Sequence, residues 1–453
     1  MKKLLLTAFS AAVVSQTLIA GAIIPNKLLS RDSVAYTSSG TTSYLTDGFL
    51  TNWKSCSDKQ IAINVGEGPS RLFVTWESYG DCAWANYATG CQHSGTPLRN
   101  FEIQTSANST DGTDGDWTVA TTVSDNPVMS RGVYIDFDGM SWVRIVSDEN
   151  PGSILEVEAF DMSNGGNDTW FFMGTSISQM GLKQQETDTT TADIIHSHYS
   201  AYTPAMLRGG IGCINSTDVV NHINDYLAYA GNVHFWAIEM GTNDAWGGGD
   251  WNLDNYVKNM QTIIDSAKAH SIEPVLASII ATNESVAGWQ VNQKYLDAVD
   301  SLVAKNGLHK GPDFYSYFLE HPELISSSDG VHPDGTAGGG LAMHHLWAEA
   351  LAPLYAASVD SSDADSVKSN VNSVCSSRVI APVVYASDGD VVISGLNRDS
   401  YVSVLNVNGV VCFSRYCKTA ENIRLGVKLP SGIYFVVVRD SKSVVSSKVV
   451  ISE

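Results

Sequence analysis

Four short stretches hold residue types that together could transfer an acyl group. In TWFFMGTSISQMG (169–181), Ser176 follows an apolar run and a glycine. RGGIGCINSTD contains Gly212 and Cys213, EMGTNDAW contains Asn243, and SSDGVHPD sets Asp329 three residues before His332. A serine hydroxyl is a weak nucleophile until a base takes its proton. His332 is the candidate base, and Asp329 the candidate partner for the other ring nitrogen. The oxyanion of a tetrahedral intermediate needs donors set in advance. The Asn243 amide, the Ser176 backbone N–H and an N–H from the Gly212-Cys213 turn are the candidates, with the choice between Gly212 and Cys213 open. Each position also has a plainer reading. Ser176 or Ser178 would serve as a helix N-cap, as would Asp329, and Asn243 would cap a helix. Gly241 would close a turn.

The elements that must position these residues are legible around them. VHFWAIEM and IEPVLASII are continuous apolar runs, as expected of parallel strands buried on both faces. Helical patterns alternate with them: TDVVNHINDYLAYA, NLDNYVKNMQTIIDSAKAH, NQKYLDAVDSLVAKN and AMHHLWAEALAPLYAA. Residues 168–357 therefore read as an α/β/α doubly wound domain on a parallel sheet. Ligands of such sheets sit outside the carboxyl ends of the strands, where all four stretches fall.

In these stretches the chain resembles the SGNH (GDSL-type) hydrolases. GTSISQMG is similar to their first block, RGGIGCINSTD to the second, GTND to the third and DGVHPD to the last. The resemblance implies a flavodoxin-like fold and ester hydrolysis through an acyl-enzyme. It implies Ser176 as nucleophile, Asp329 and His332 as acid and base, and Asn243 as oxyanion donor. Two positions depart from the pattern: Thr175 replaces the usual aspartate, and Cys213 stands where a glycine is common.

The 453-residue chain is long enough for two or three domains. Residues 28–161 alternate apolar and polar residues in QIAINVG, SRLFVTW, NFEIQTS, DWTVATTV, GVYIDFDG, SWVRIVS and ILEVEAFD, the pattern of a β-sandwich. The order of features resembles discoidin-like, galactose-binding jelly rolls, which implies a carbohydrate-binding or structural module. Tyr79, Trp84 and Tyr87 would stack on sugars or pack on the next domain. Asp111, Asp114 and Asp116 read as an Asp-Gly hairpin turn, with a calcium site as the alternative. Residues 358–377 are polar and read as a linker, and 378–453 as a small β-sandwich that resembles the secretion or sorting tails of exported bacterial enzymes.

Residues 1–22 carry two lysines, an apolar run and Ala20-Gly21-Ala22, the plan of a secretory signal. Seven cysteines suit an oxidising compartment. Cys82–Cys91 and Cys412–Cys417 are candidate local disulfides, with connectivity left open. The net charge of −21 argues against nucleic acid or an anionic membrane as partner, and no later segment reads as a membrane span. The expectation is a secreted esterase acting without metal or cofactor on acetylated plant polysaccharide, acetylxylan first. Trp246 and Trp251, with Trp289, would form a sugar platform, or else core or lid. A lipid or aryl esterase, and a non-catalytic carbohydrate-binding protein, are the alternatives.

Overall fold

Period-2 patterning builds the first segment. Its strands are β1 (Lys27–Leu28), β2 (Ala35–Thr37), β3 (Gly40–Thr42), β4 (Gln60–Asn64), β5 (Arg71–Ser78), β6 (Phe101–Ser106), β7 (Thr118–Val123), β8 (Ser130–Asp136), β9 (Trp142–Val146) and β10 (Ile154–Asp161). They form two antiparallel sheets, ordered β1-β10-β5-β8 and β3-β2-β4-β9-β6-β7. Ile61, Ile63, Ile103 and Ile145 of the larger sheet meet Leu72, Val74, Trp76 and Ile135 of the smaller in one core. All seven strands read from the sequence are present. The structure, a computed structural model, describes residues 22–50, 56–78, 98–126, 128, 130–147, 154–184, 189–366, 383–387, 390–396, 400–406, 411–418, 420–427, 429–439 and 444–451. Most of the signal-like stretch, the loop with Tyr79, Trp84 and Tyr87, Cys82, Cys91 and Cys375 lie outside the described residues.

The acidic turn closes on itself. Asp114 accepts from Ser109 Oγ, Thr110 N and Thr110 Oγ1, while Asp111 Oδ1 accepts from Thr113 and Asp114 N–H groups. Among the described residues no three His, Cys, Asp or Glu side chains gather as metal ligands.

The middle segment holds the parallel strands β11 (Thr169–Gly174), β12 (Ala205–Gly210), β13 (Phe235–Glu239) and β14 (Glu273–Leu276), ordered β12-β11-β13-β14. A single bridge from Leu276 to Lys310 extends the sheet beyond β14. Alternation sends Trp170, Phe172, Phe235 and Val275 into one core. It sends Phe171, Met173, Trp236 and Leu276 into another. The helices are α1 (Ser176–Gln179), α2 (Thr191–His198), α3 (Ser216–Asn221), α4 (Ile223–Ala230), α5 (Leu253–Ala269), α6 (Glu284–Ala287), α7 (Gln293–Asn306), α8 (Phe314–Glu320) and α9 (Gly339–Ser366). The single helix read over 217–230 is two, because His222 leaves helical geometry at φ −113°, ψ 21°.

Helix α9 also corrects the boundary at 357. No Gly or Pro follows Pro353 before Ser366, and each added helical residue gains a hydrogen bond. The helix thus continues through Ser366 into the stretch read as linker, and 367–377 lie outside the described residues.

The sandwich and the α/β layers form one compact unit, and the all-β stretch beyond them a second. Phe73 and Phe160 leave the sandwich core and join the cluster of Phe171 and Leu207. On the outer edge of β12, the Arg208 N–H donates to Glu77 Oε1 (3.2 Å) and Ser130 Oγ (3.0 Å). The Lys183 ammonium donates to Ser78 O at 2.8 Å. Strands β5 and β8 thereby cover an edge that would otherwise offer unpaired donors.

The second unit contains β15 (Val383–Ser387), β16 (Asp390–Leu396), β17 (Ser400–Asn406), β18 (Val411–Cys417), β19 (Ala420–Arg424), β20 (Gly432–Arg439) and β21 (Val444–Ile451), in sheets β15-β16-β19 and β18-β17-β20-β21. Cys417 carries a free thiol, so the Cys412–Cys417 disulfide is not made. Both residues lie on β18, five apart, and therefore on opposite faces, one exposed and one buried. About 16 Å of strand separates them, beyond the Cα spacing of about 7 Å that a disulfide spans.

Candidate active site

The four stretches do meet at the carboxyl edge of the parallel sheet. Strand β11 ends at Gly174, which stands opposite Gly210 of β12 on one side and Glu239 of β13 on the other. A Cβ on Gly174 would overlap the Ser178 hydroxyl, and one on Gly210 would overlap the backbone of Gln179. The glycines therefore let α1 turn directly over the strand ends. Thr175 is the N-cap of α1, its hydroxyl accepting from Ile177 N at 3.2 Å. The capping role read for Ser176 or Ser178 thus belongs to Thr175, and Ser176 is left half-buried with its hydroxyl available.

That hydroxyl lies 2.9 Å from His332 Nε2. The other ring nitrogen, His332 Nδ1, lies 3.0 Å from Asp329 Oδ2. Asp329 Oδ1 accepts the backbone N–H groups of Val331 (2.8 Å) and His332 (3.0 Å). Burial alone would raise the Asp329 pKa, but those donors and the imidazole hold it below the ordinary carboxylate value. A carboxylate held ionised here fixes Nδ1 as the protonated nitrogen and leaves Nε2 free to accept the serine proton. The loop itself is tight: Ser326 N donates to His332 O at 2.7 Å and Gly330 N to Ser326 O at 2.8 Å. Gly330 has φ +70°, and a Cβ there would press on the backbone of Asn283 and Ala287.

The residues read as oxyanion donors lie at this same edge of the sheet. Ser176 is the first residue of α1, where a backbone N–H has no intrahelical partner. The Asn243 amide donates one hydrogen to Ile214 O at 2.7 Å. An NH₂ group has two, so one remains for a ligand. The neighbouring Asp244 accepts from Ser216 N (3.0 Å) and Ser216 Oγ (2.6 Å), and Asn252 Nδ2 joins it at 3.2 Å. Asn243 and Asp244 thus grip the 211–216 loop from both sides and fix the direction of its N–H groups. Cys213 in that loop has φ +63°, a conformation in which glycine is at ease and cysteine is not. It is bound in a disulfide whose partner lies outside the described residues.

The tryptophans stand on neighbouring loops. Trp246 and Trp251 follow Asn243 in sequence and are 50% and 72% exposed. Trp246 packs at 5.3 Å, centroid to centroid, on Trp289. Neither Trp246 nor Trp251 is core.

The comparisons with known proteins come to this chain at low identity. No protein-family model matches it, and no curated protein matches it. Among solved structures, it is similar to a lipase/acylhydrolase from Enterococcus faecalis (16% identity, TM-score 0.34, 40% of this chain and 94% of that one). It is similar to Axe2, an acetylxylan esterase from Geobacillus stearothermophilus (16% identity, TM-score 0.32, 41% and 93%). The YxiM protein of Bacillus subtilis overlays more of the chain (12% identity, TM-score 0.37, 73% and 90%).

One residue at the site was not singled out from the sequence. Glu239, the last residue of β13, is fully buried beneath the Ser176 turn. Its signal was a carboxylate inside the apolar run VHFWAIEM, a place where a charge needs donors waiting for it.

Proposed function

We propose that the chain is a secreted serine esterase of the SGNH type that removes acetyl groups from plant cell-wall polysaccharide, acetylxylan first. The observation that carries this reading is the unbroken line of hydrogen bonds from Ser176 Oγ through His332 to Asp329, at 2.9 and 3.0 Å. In this reading Ser176 Oγ attacks the ester carbonyl carbon as its proton passes to His332 Nε2. Asp329 stabilises the imidazolium. The oxyanion takes the Ser176 N–H, the second Asn243 amide hydrogen and an N–H of the Gly212-Cys213 turn. Collapse returns the proton to the departing sugar oxygen, and water then hydrolyses the acyl-enzyme by the same steps.

Two features support a carbohydrate acetyl ester over a lipid. Trp246 and Trp251 are exposed, and exposed indoles stack on the apolar sides of sugar rings. The loop that carries them, DAWGGGDWN, is otherwise polar and small. Export is inferred from the leader pattern of residues 1–22.

The test is acetate release from acetylated xylan and from a small aryl acetate, wild type against Ser176→Ala. Release from both, abolished by the substitution, supports the whole reading. Aryl ester turnover alone keeps the triad and moves the natural substrate elsewhere. No release from either overturns it in favour of a binding protein.

A further inference from the structure

We infer that Glu239 is a positioning residue whose buried carboxyl gathers donors from both sides of Ser176 and so sets the pose of the nucleophile turn. The inference rests on the serine esterase reading. Glu239 Oε2 accepts from Ser178 Oγ at 3.0 Å, and lies 3.4 Å from Thr175 Oγ1 and 3.5 Å from Thr175 N. Thr175 precedes Ser176 and Ser178 follows it by two, so one oxygen ties down the turn on either flank. The other oxygen, Oε1, is buried with no partner among the described residues.

The surroundings are shaped for this contact. Glu239 stands opposite Gly174 in the sheet register. A side chain at Gly174 would occupy the place of the Ser178 hydroxyl that reaches the carboxyl. Thr175 links the two functions: its hydroxyl accepts from Ile177 N as the α1 cap and is within reach of Glu239 as a donor. An ionised carboxylate at position 175 has no hydrogen to donate to Glu239, so the threonine hydroxyl is what allows this contact. Burial pushes the Glu239 pKa up to about 7, against the lowering effect of the Ser178 and Thr175 bonds. Protonated or ionised, a carboxyl keeps an acceptor oxygen, which is what this role asks of it. It does not touch the reacting atoms, so it acts through the placing of the Ser176 hydroxyl and N–H.

The experiment compares Glu239→Ala, Glu239→Gln and Ser178→Ala in the full chain. Each is assayed for kcat and KM on an aryl acetate, for the rate of covalent labelling by a fluorophosphonate, and for its pH profile. A displaced nucleophile costs on the order of 100-fold in rate. Glu239→Ala is expected to lower kcat and labelling by about 10- to 100-fold, with KM and the acid limb of the profile unmoved. Glu239→Gln restores most of the rate, because its amide oxygen accepts the same donors, and Ser178→Ala falls between. Wild-type kcat in Glu239→Ala, or Glu239→Gln as slow as Glu239→Ala at equal folded fraction, overturns the inference. If Glu239→Ala does not fold, Ser178→Ala decides: an unchanged kcat and labelling rate there overturns it. A wild type inert to both ester and fluorophosphonate defeats the esterase reading instead.

Discussion

Ser176 Oγ and His332 Nε2 are 2.9 Å apart across 156 residues of chain. Nothing local brings them together. The first leaves the end of β11, the second precedes α9, and the whole α/β layer must be assembled before they meet. Their contact is a readout of the finished fold, and several expectations follow from it.

The pH profile is the first. Imidazole changes charge between about pH 5 and 8, and only its neutral form can take the serine proton. Asp329 is held below its ordinary value, so it stays ionised throughout that range. The acid limb of kcat/KM should therefore fall with a slope of one proton. A flat profile from about pH 5 to 8 would remove His332 as the base.

Asp329→Asn tests the tautomer. An asparagine oxygen can still accept from Val331 and His332 N–H, so the loop should keep its shape. Its NH₂ would face His332 Nδ1 and force the proton onto Nε2, towards Ser176. Loss of kcat by about 10⁴-fold with unchanged KM and thermal stability is expected. A loss under tenfold would mean that the carboxylate does not set the proton position.

Asn243→Ala removes an oxyanion donor and the bond to Ile214 O together. A fall of about 10²- to 10³-fold in kcat is expected. Asp244→Ala, which loosens the same loop through Ser216, separates the two effects. If both variants lose equally, the role of Asn243 is to hold the loop.

Glu239 should also mark the stability curve. Its carboxyl is raised from 4.5 to about 7 in the folded state. The folded state then holds its proton more tightly than the unfolded chain. This contribution is fully present below about pH 4.5 and is lost as pH rises through about 7. At 1.36 kcal/mol per unit the share is about 3 kcal/mol. Asp168, raised to about 7 by burial, adds a loss of the same sign. Urea unfolding at either end of the window should show a smaller decline for Glu239→Gln than for wild type. Equal declines would mean that the group ionises alike in both states.

Trp251 is 72% exposed, so its replacement by alanine should leave thermal stability and aryl acetate turnover unchanged. KM for acetylated xylan should rise several-fold, as expected for one lost stacking contact of about 1 kcal/mol. An unchanged KM on the polymer would remove Trp251 from the platform.

Ser176 and Asn243 were legible because each follows a recognisable strand, and such ends share one edge; Asp329 and His332 were legible from DGVHPD, set just before the last helix. Thr175 as the cap was not, since serine and threonine cap comparably well and geometry chose between them. Glu239 was hidden inside a run whose apolar character dominated the reading. The disulfide of Cys213 depends on proximity in space, which spacing does not encode. The extent of α9 was misread because a run of Ser and Asp signals a linker in isolation, while an established helix can carry such residues onward. The union of sandwich and α/β layers left two traces in the sequence: Glu77 in RLFVTWES and Arg208 in AMLRGG, charged residues in strands otherwise fit for burial.

That union bears on modularity. Because β5 and β8 roof the edge of β12, with Glu77 and Ser130 supplying acceptors for Arg208 N–H, the first segment is not an appendage to be trimmed away. A fragment beginning at 168 would inherit a naked strand edge, a stranded guanidinium and the exposed backs of Phe171 and Leu207. It would tend to self-associate before it could act. Swapping substrate preference by exchanging the sandwich for another module would meet the same obstacle, so diversification of this architecture has to proceed through its loops.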